Sequence, residues 1–335
     1  MNSDDQAIPT SDWRQLLRKM RTLAGLRAAK PDHGALAPLD AEDLAAAAAV
    51  PARDKLLWMQ VKLDRAHFSP GEIDGLDGSS HKRAVAAFAR ARNIAPDAVA
   101  AALAADRSPM LTSYTITAED VAGPFKPIPA DMMKKATLDK LGYTSALEGL
   151  GEKFHSRPEL LKKLNPGKSF TRAGEVIEVP NVHLTAPAGK AAKVVVDESD
   201  GSVDAIDAQG NILASYPATM GSEHDPLPVG DWKINGVSKN PSFNYNPDLF
   251  WDAKPKDDKA KLAPGPNNPV GVVWIDLSKE HYGIHGTPVP STVGKTESHG
   301  CIRLTNEDVA DLYSRVNLGT RVVVLPQTGR HASVR

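Results

Sequence analysis

The one cysteine of the chain, Cys301, lies in Ser298-His299-Gly300-Cys301-Ile302-Arg303, flanked by a histidine and an arginine. A second histidine, His285, sits sixteen positions upstream in Tyr282-Gly283-Ile284-His285-Gly286-Thr287. These residue types suit acyl transfer through a thioester. A thiolate is a strong nucleophile, but a free thiol pKa near 8.5 leaves little of it at neutral pH, so a basic or cationic neighbour is required. If residues 299–303 are extended, alternation places His299, Cys301 and Arg303 on one face. Two residues along a strand separate side chains by roughly 7 Å, too far for a direct hydrogen bond. His285, arriving on another segment, is therefore the better general base, and His299 shapes the site. Gly300 lets the backbone approach a substrate carbonyl, so that the amides of His299, Gly300 and Cys301 can form an oxyanion hole. Arg303 can hold a substrate carboxylate or set the field that favours thiolate.

Two blander readings compete. A lone cysteine is more often a small buried apolar residue than a nucleophile, but the surrounding histidines, glycine and arginine favour catalysis. His281, His285, His299 and Cys301 also make a conceivable zinc set with an open position. No acidic partner for those histidines is evident and Arg303 would repel a cation, so no metal and no cofactor are expected.

The elements that must position these residues occupy a chain of 335 residues, long enough for two or three domains. A formal net charge of −1 provides no global field for nucleic acid or an anionic membrane. One cysteine excludes an internal disulfide without deciding the compartment. No stretch approaches the roughly 18 apolar residues of a membrane span, so no integral membrane segment is expected. Met1-Asn2-Ser3-Asp4-Asp5 lacks the basic and apolar regions of a signal peptide. Either the protein is cytoplasmic or a leader has been removed.

Taken in order, Trp13, Leu16, Leu17, Met20, Leu23 and Leu26 recur at helical spacing behind Ser11, with Arg14, Arg18, Lys19 and Arg21 opposite. Such a helix packs on a neighbouring domain or lies on a membrane surface. With the Ala/Pro-rich run that follows, including a short helix at Ala41–Ala49, it makes up residues 1–51. Residues 52–110 read as a helical unit, with helices at Lys55–Arg65 and from Ser79, joined by a Gly/Pro/Asp turn; Asp74 and Asp77 miss calcium-loop spacing. Residues 111–184 read strand–helix–helix–strand, with a Pro-rich insertion (Pro124, Pro127, Pro129), a helix around Leu138 to Leu141, and a second helix at Pro158–Leu164. Residues 185–326 turn to strands separated by Gly, Asn and Pro, and 327–335 form a tail. Within the strand-rich part, residues 238–268 form a long excursion carrying Phe243, Tyr245, Phe250 and Trp251, the kind of loop that becomes a lid or binding wall. Thr305-Asn306-Glu307-Asp308 starts a helix. The fold class expected is multidomain α+β: a helical N-terminal region, a small α/β module and a mainly β C-terminal domain.

His285-Gly286-Thr287 followed by Ser298-His299-Gly300-Cys301-Ile302-Arg303 closely resembles the signature of L,D-transpeptidase catalytic domains of the YkuD type. Pro228-Val229-Gly230-Asp231-Trp232 and Gly265-Pro266-Asn267-Asn268-Pro269-Val270-Gly271 also look like family segments, and the resemblance covers about residues 193–325. It implies that Cys301 attacks a peptidoglycan stem peptide, forming a thioester with release of the terminal D-alanine. An amine would then resolve the thioester, from another stem, a wall-anchored lipoprotein or a free D-amino acid. Carried onto this chain, Cys301 is nucleophile, His285 base and the Gly286 carbonyl its orienter. His299, Gly300 and Arg303 line the oxyanion or substrate site, with Ser298 and Tyr282 beside them. Residues 52–110 are similar to small three-helix peptidoglycan-binding domains, and residues 111–184 resemble a LysM-type glycan-binding module with an insertion. A structural spacer role for both is the equal alternative. The implied setting is the periplasm or cell envelope. A thiol hydrolase with the same nucleophile, or a non-catalytic wall-binding protein, is the alternative.

Overall fold

The computed structural model describes residues 41–182 and 189–325, which leaves the basic helix expected over residues 13–26, most of the linker near residue 185 and the tail outside the described residues. The first unit is helical: α1 (Ala41–Ala49), α2 (Lys55–Arg65), α3 (Ser79–Arg92) and α4 (Val99–Leu103). Trp58, Leu63, Phe68, Ala84, Phe88, Val99 and Leu103 form its core, with the Phe68 and Phe88 rings edge to face at 5.2 Å. α3 ends at Asn93, whose left-handed φ of 51° and two backbone bonds to Ala89 and Arg90 close the last turn. Asp74 is spent on structure, since its Oδ1 accepts from the Leu76 amide at 2.9 Å and from Gln60 Nε2 at 3.0 Å.

The second unit pairs β1 (Leu111–Thr115) antiparallel with β2 (Val176–Pro180) around α5 (Met132–Lys135), α6 (Ala146–Lys153) and α7 (Pro158–Leu164). The helix expected around Leu138 to Leu141 is instead α5, six residues earlier. Asp131 caps it by accepting from the Lys134 amide. Leu138 and Leu141 are drawn off to pack on the excursion of residues 238–268, and the Leu141 amide donates to the Pro264 carbonyl at 3.0 Å. This unit has no private core. Val61 of α2 and Ile73 pack with Ile116, Leu150, Phe154, Leu161, Ile177 and Val179.

The third unit holds a nine-stranded sheet in the order β5-β4-β3-β13-β7-β10-β11-β12-β6. Its strands are β3 (Lys193–Asp197), β4 (Ser202–Ile206), β5 (Ile212–Pro217), β6 (Thr219–Met220), β7 (Gly230–Lys239), β10 (Val273–Leu277), β11 (Gly283–His285), β12 (Ile302–Arg303) and β13 (Arg321–Leu325). β8 (Phe243–Tyr245) and β9 (Ala260–Leu262) form a separate hairpin inside the excursion. β7 serves both halves of the sheet, its first residues pairing with β13 and the rest with β10. Val194, Val203, Ile275, Ile284, Ile302, Val322 and Val324 are buried together with Val309 and Leu312 of α8 (Asn306–Arg315). Thr305 caps α8 by accepting from the Asp308 amide at 3.1 Å, the capping arrangement its sequence implied. α8 also ties the units together: Ser69 donates to Asp308 at 3.0 Å, and Asp311 meets both His67 and Tyr216. Among the described residues no helix is long and apolar enough to cross a membrane.

Candidate active site

The segments that carry the thiol and the imidazole are brought together by a short parallel pairing. β11 runs beside β12, with Ile284 opposite Ile302 and His285 opposite Arg303. Opposed residues point to the same face, and Cys301 stands one residue before β12. The extension expected through residues 299–303 does not occur. Gly300 adopts φ +88°, so the chain turns before Cys301 and His299 departs from the face that Cys301 and Arg303 occupy. Beneath the turn, Ser298 is buried; its hydroxyl donates to the Cys301 carbonyl at 2.6 Å and its amide to the Gly221 carbonyl at 2.9 Å. Ser298 thus supports the cysteine loop from below and has no hydroxyl hydrogen left to offer a substrate.

Gly300 also has no room for a side chain, because a Cβ there would meet the Tyr282 ring at 2.9 Å. Tyr282 lies against the cysteine loop with its hydroxyl 3.5 Å from the Pro226 carbonyl. Gly300→Ala combines an unfavourable φ with this contact and is expected to lower acylation of Cys301 at least about tenfold, with a melting temperature several degrees lower. Scanning calorimetry together with single-turnover kinetics checks both effects.

His285 is 4% exposed, and its Nδ1 lies 2.7 Å from the Gly286 carbonyl. A carbonyl only accepts, so Nδ1 carries the proton and Nε2 presents a lone pair. The Trp274 ring stacks on the imidazole, 5.4 Å between centroids and 19° between planes, which fixes the ring orientation. Burial, reinforced by the positive charge of Arg303, pushes the His285 pKa down to about 3. Burial pushes the Cys301 thiol up to about 11, against the Gly283 amide and Arg303, which favour the thiolate. The resting pair is therefore neutral thiol and neutral imidazole. They are not hydrogen-bonded to each other; the thiol instead approaches the His281 carbonyl at 3.7 Å. Arg303 is largely buried, burial lowers its pKa, and its Nε has no hydrogen-bond partner among the described residues. That leaves a fixed N–H donor beside the cysteine.

His299 is held by the excursion. Its Nε2 is 2.9 Å from Asp252 Oδ1, and its ring contacts Phe250 and Trp251 at 5.0 and 5.6 Å. Trp251 also meets His224 and is 61% exposed, so an aromatic wall stands at the edge of the cysteine loop. The wall is anchored at its base: Tyr245 and Leu262 pack on Leu141, Met132 and Met133, and Lys254 pairs with Asp131 at 2.8 Å. His281, exposed and beside Glu280, is not gathered with the other histidines. Among the described residues no cluster of three or more His, Cys, Asp or Glu is placed to hold a metal.

Two site-shaping residues escaped the sequence reading. Trp274 reads as one more residue of a strand expected over Gly271–Leu277, and only its pairing opposite His285 reveals its place. Asn306 reads only as the start of a helix, yet its Oδ1 lodges against the backbones of Gly286 and Gly271, so closely that neither glycine could carry a Cβ.

Residues 191–324 match the family model of the L,D-transpeptidase catalytic domain, YkuD. The YkuD protein of Bacillus licheniformis, assigned as an L,D-transpeptidase, is 31% identical over 184 residues, covering 54% of this chain and 93% of that protein. YbiS of Escherichia coli K12, similarly assigned, is 25% identical over 187 residues, covering 54% of this chain and 60% of its own length. Among solved structures, L,D-transpeptidase 3 from Mycobacterium tuberculosis, in complex with a faropenem-derived adduct, aligns with 46% of this chain and 75% of its own at 19% identity and a TM-score of 0.32. That overlap is too low to add to what the sequence matches provide.

Proposed function

The chain belongs to the L,D-transpeptidase family, an enzyme of that kind, and we propose that it acts on peptidoglycan stem peptides through a thioester on Cys301. The observation that carries this reading is the pairing of His285 with the cysteine-bearing strand, its Nδ1 tied to Gly286 and its Nε2 lone pair free.

In the first half-reaction the Cys301 sulfur attacks the carbonyl of the stem residue preceding the terminal D-alanine, and the thiol proton passes to His285 Nε2. Moving the proton in the same step avoids a buried thiolate facing a buried imidazolium, which the opposed pKa shifts disfavour. The oxyanion is met by the amides of His299, Gly300 and Cys301, each donor of this kind being worth about 10²–10³ in rate. Arg303 Nε supplies a further donor to the oxyanion or to a substrate carboxylate. The C–N bond then breaks, the imidazolium proton leaves on D-alanine, and the thioester remains. In the second half-reaction an acceptor amine attacks the thioester, His285 takes a proton from that amine, and the thiol is restored. Transferring to a second stem, to a wall-anchored lipoprotein or to a free D-amino acid requires the same residues up to this point.

The aromatic wall of Phe250, Trp251 and His299 shields the thioester from water, which favours an amine acceptor over hydrolysis. The helical unit and the mixed α/β unit ahead of the catalytic domain hold the enzyme on glycan, the latter in the manner of a LysM module, and the enzyme works in the cell envelope. Support for the second assignment is the antiparallel pairing of β1 with β2 around the intervening helices, α6 and α7 among them.

The test is intact-protein mass spectrometry after mixing with a disaccharide-tetrapeptide. A mass gain equal to the substrate less D-alanine, mapped to Cys301, is expected. Release of D-alanine with no adduct on Cys301 at any time point would argue for another nucleophile.

A further inference from the structure

We infer that Glu152, outside the catalytic domain, is a positioning residue for the base, acting through Asn306 on the Gly286 carbonyl that orients His285. The inference rests on the reading of His285 as base. It starts from two amide bonds. Asn306 Nδ2 donates to Glu152 Oε1 at 2.9 Å and to the Pro266 carbonyl at 3.2 Å, which fixes the orientation of the amide group. Oδ1 is thereby turned the other way, where it accepts from the Val272 amide at 3.2 Å and wedges between Gly271 and Gly286. The Gly286 amide donates to the Val273 carbonyl at 3.3 Å, so residue 286 is held from β10 at its nitrogen and by Asn306 at its Cα. The Gly286 carbonyl, on the far side of that Cα, receives His285 Nδ1–H at 2.7 Å.

Without an acceptor at Glu152, one face of this relay is lost. Asn306 Nδ2 would keep only the longer bond to Pro266, and the amide could rotate or draw in water from the adjoining cleft. That cleft, about 800 Å³, lies between the second unit and α8 and is lined by Glu152 and Asn306 themselves, with Tyr143, Glu307 and Val272. Glu152 is in turn steadied by Tyr143, whose hydroxyl donates to Oε2 at 3.0 Å. The second unit thus reaches the catalytic histidine through three side-chain or backbone contacts, without touching substrate. Burial lifts the Glu152 carboxyl to about 7, and Oε1 serves as acceptor in the charged and the neutral form alike. A glutamine at this position also keeps an acceptor oxygen.

The experiment compares Glu152→Ala, Glu152→Gln and His285→Ala in the full chain, using steady-state release of D-alanine from the disaccharide-tetrapeptide and the His285 ring signals by nitrogen-15 NMR. Glu152→Ala is expected to lower kcat about tenfold with KM within about twofold, and to broaden or shift the His285 Nδ1–H signal. Glu152→Gln is expected to restore both to near the parent values. If Glu152→Ala folds poorly, Glu152→Met fills the volume without an acceptor and the same comparison decides. Unchanged kcat in the alanine or methionine variant, a fall in kcat with the His285 signals untouched, or failure of glutamine to rescue overturns the inference. Full activity of His285→Ala would instead remove the premise that His285 is the base.

Discussion

Cys301→Ala is expected to abolish D-alanine release and every downstream product, by more than about 10⁴-fold, because removing the nucleophile of an acyl-transfer enzyme costs up to ~10⁶. The loss should appear in the chemical step and leave substrate affinity nearly intact, since Cys301 contributes one atom to binding. Chromatography of soluble muropeptides measures this, and product formation within tenfold of the parent would defeat the acyl-enzyme mechanism. The resting thiol adds a second, sharper expectation. With burial holding Cys301 near 11, alkylation by iodoacetamide at pH 7 should be slow and rise about tenfold per pH unit until the thiol ionises. Arg303 opposes the burial, so Arg303→Ala should slow alkylation at every pH below that point. A fast, pH-independent reaction at neutrality would mean a resting thiolate, contrary to the environment described.

His285→Gln is expected to reduce acylation by about 10²–10⁴-fold, the usual contribution of a positioned general base. Glutamine approximates the shape of the ring's first atoms but has no lone-pair nitrogen to take the thiol proton. The same variant exposes a stability effect whose sign is fixed by burial. His285 is neutral in the folded protein down to about pH 3, whereas an unfolded histidine binds a proton near 6.5. Between those values the unfolded chain holds more protons, so the contribution of His285 is present above about pH 6.5 and is lost as the pH falls toward 3. Glu152 and Asp308, raised to about 7 by burial, act in the opposite direction, which makes a comparison of variants necessary. The difference in unfolding free energy between parent and His285→Gln should shift by several kcal/mol across that range, on the order of 1.4 per pKa unit. Urea titrations at pH 7 and pH 4 measure it; a pH-independent difference would contradict a buried neutral imidazole.

Much of this was legible in the amino-acid order. The Cys301 and His285 segments, the capped start of α8 at Thr305 and the short helix α7 behind Pro158 depend on local chemistry, and local chemistry is what a sequence displays. Gly300 was legible only in part. Glycine signals an unusual φ, but its sign and value decide whether His299 joins Cys301 or leaves it, and the observed left-handed turn sends His299 to Asp252. The helix expected near Leu138 was misplaced for a related reason: those leucines satisfy their apolar surface on a hairpin more than a hundred residues away.

By itself, then, the sequence singled out Cys301 as candidate nucleophile and His285 as its candidate base, and a mainly β catalytic domain behind a helical region. Only the tertiary structure decided what surrounds them. Trp274 reaches His285 through strand pairing, Glu152 reaches Asn306 across a junction of units, and burial sets the neutral state of the cysteine and histidine. The physical reason is range. Capping, turn and motif chemistry act over a few residues, whereas desolvation and the closing of hydrogen bonds between distant segments exist only once the chain has folded.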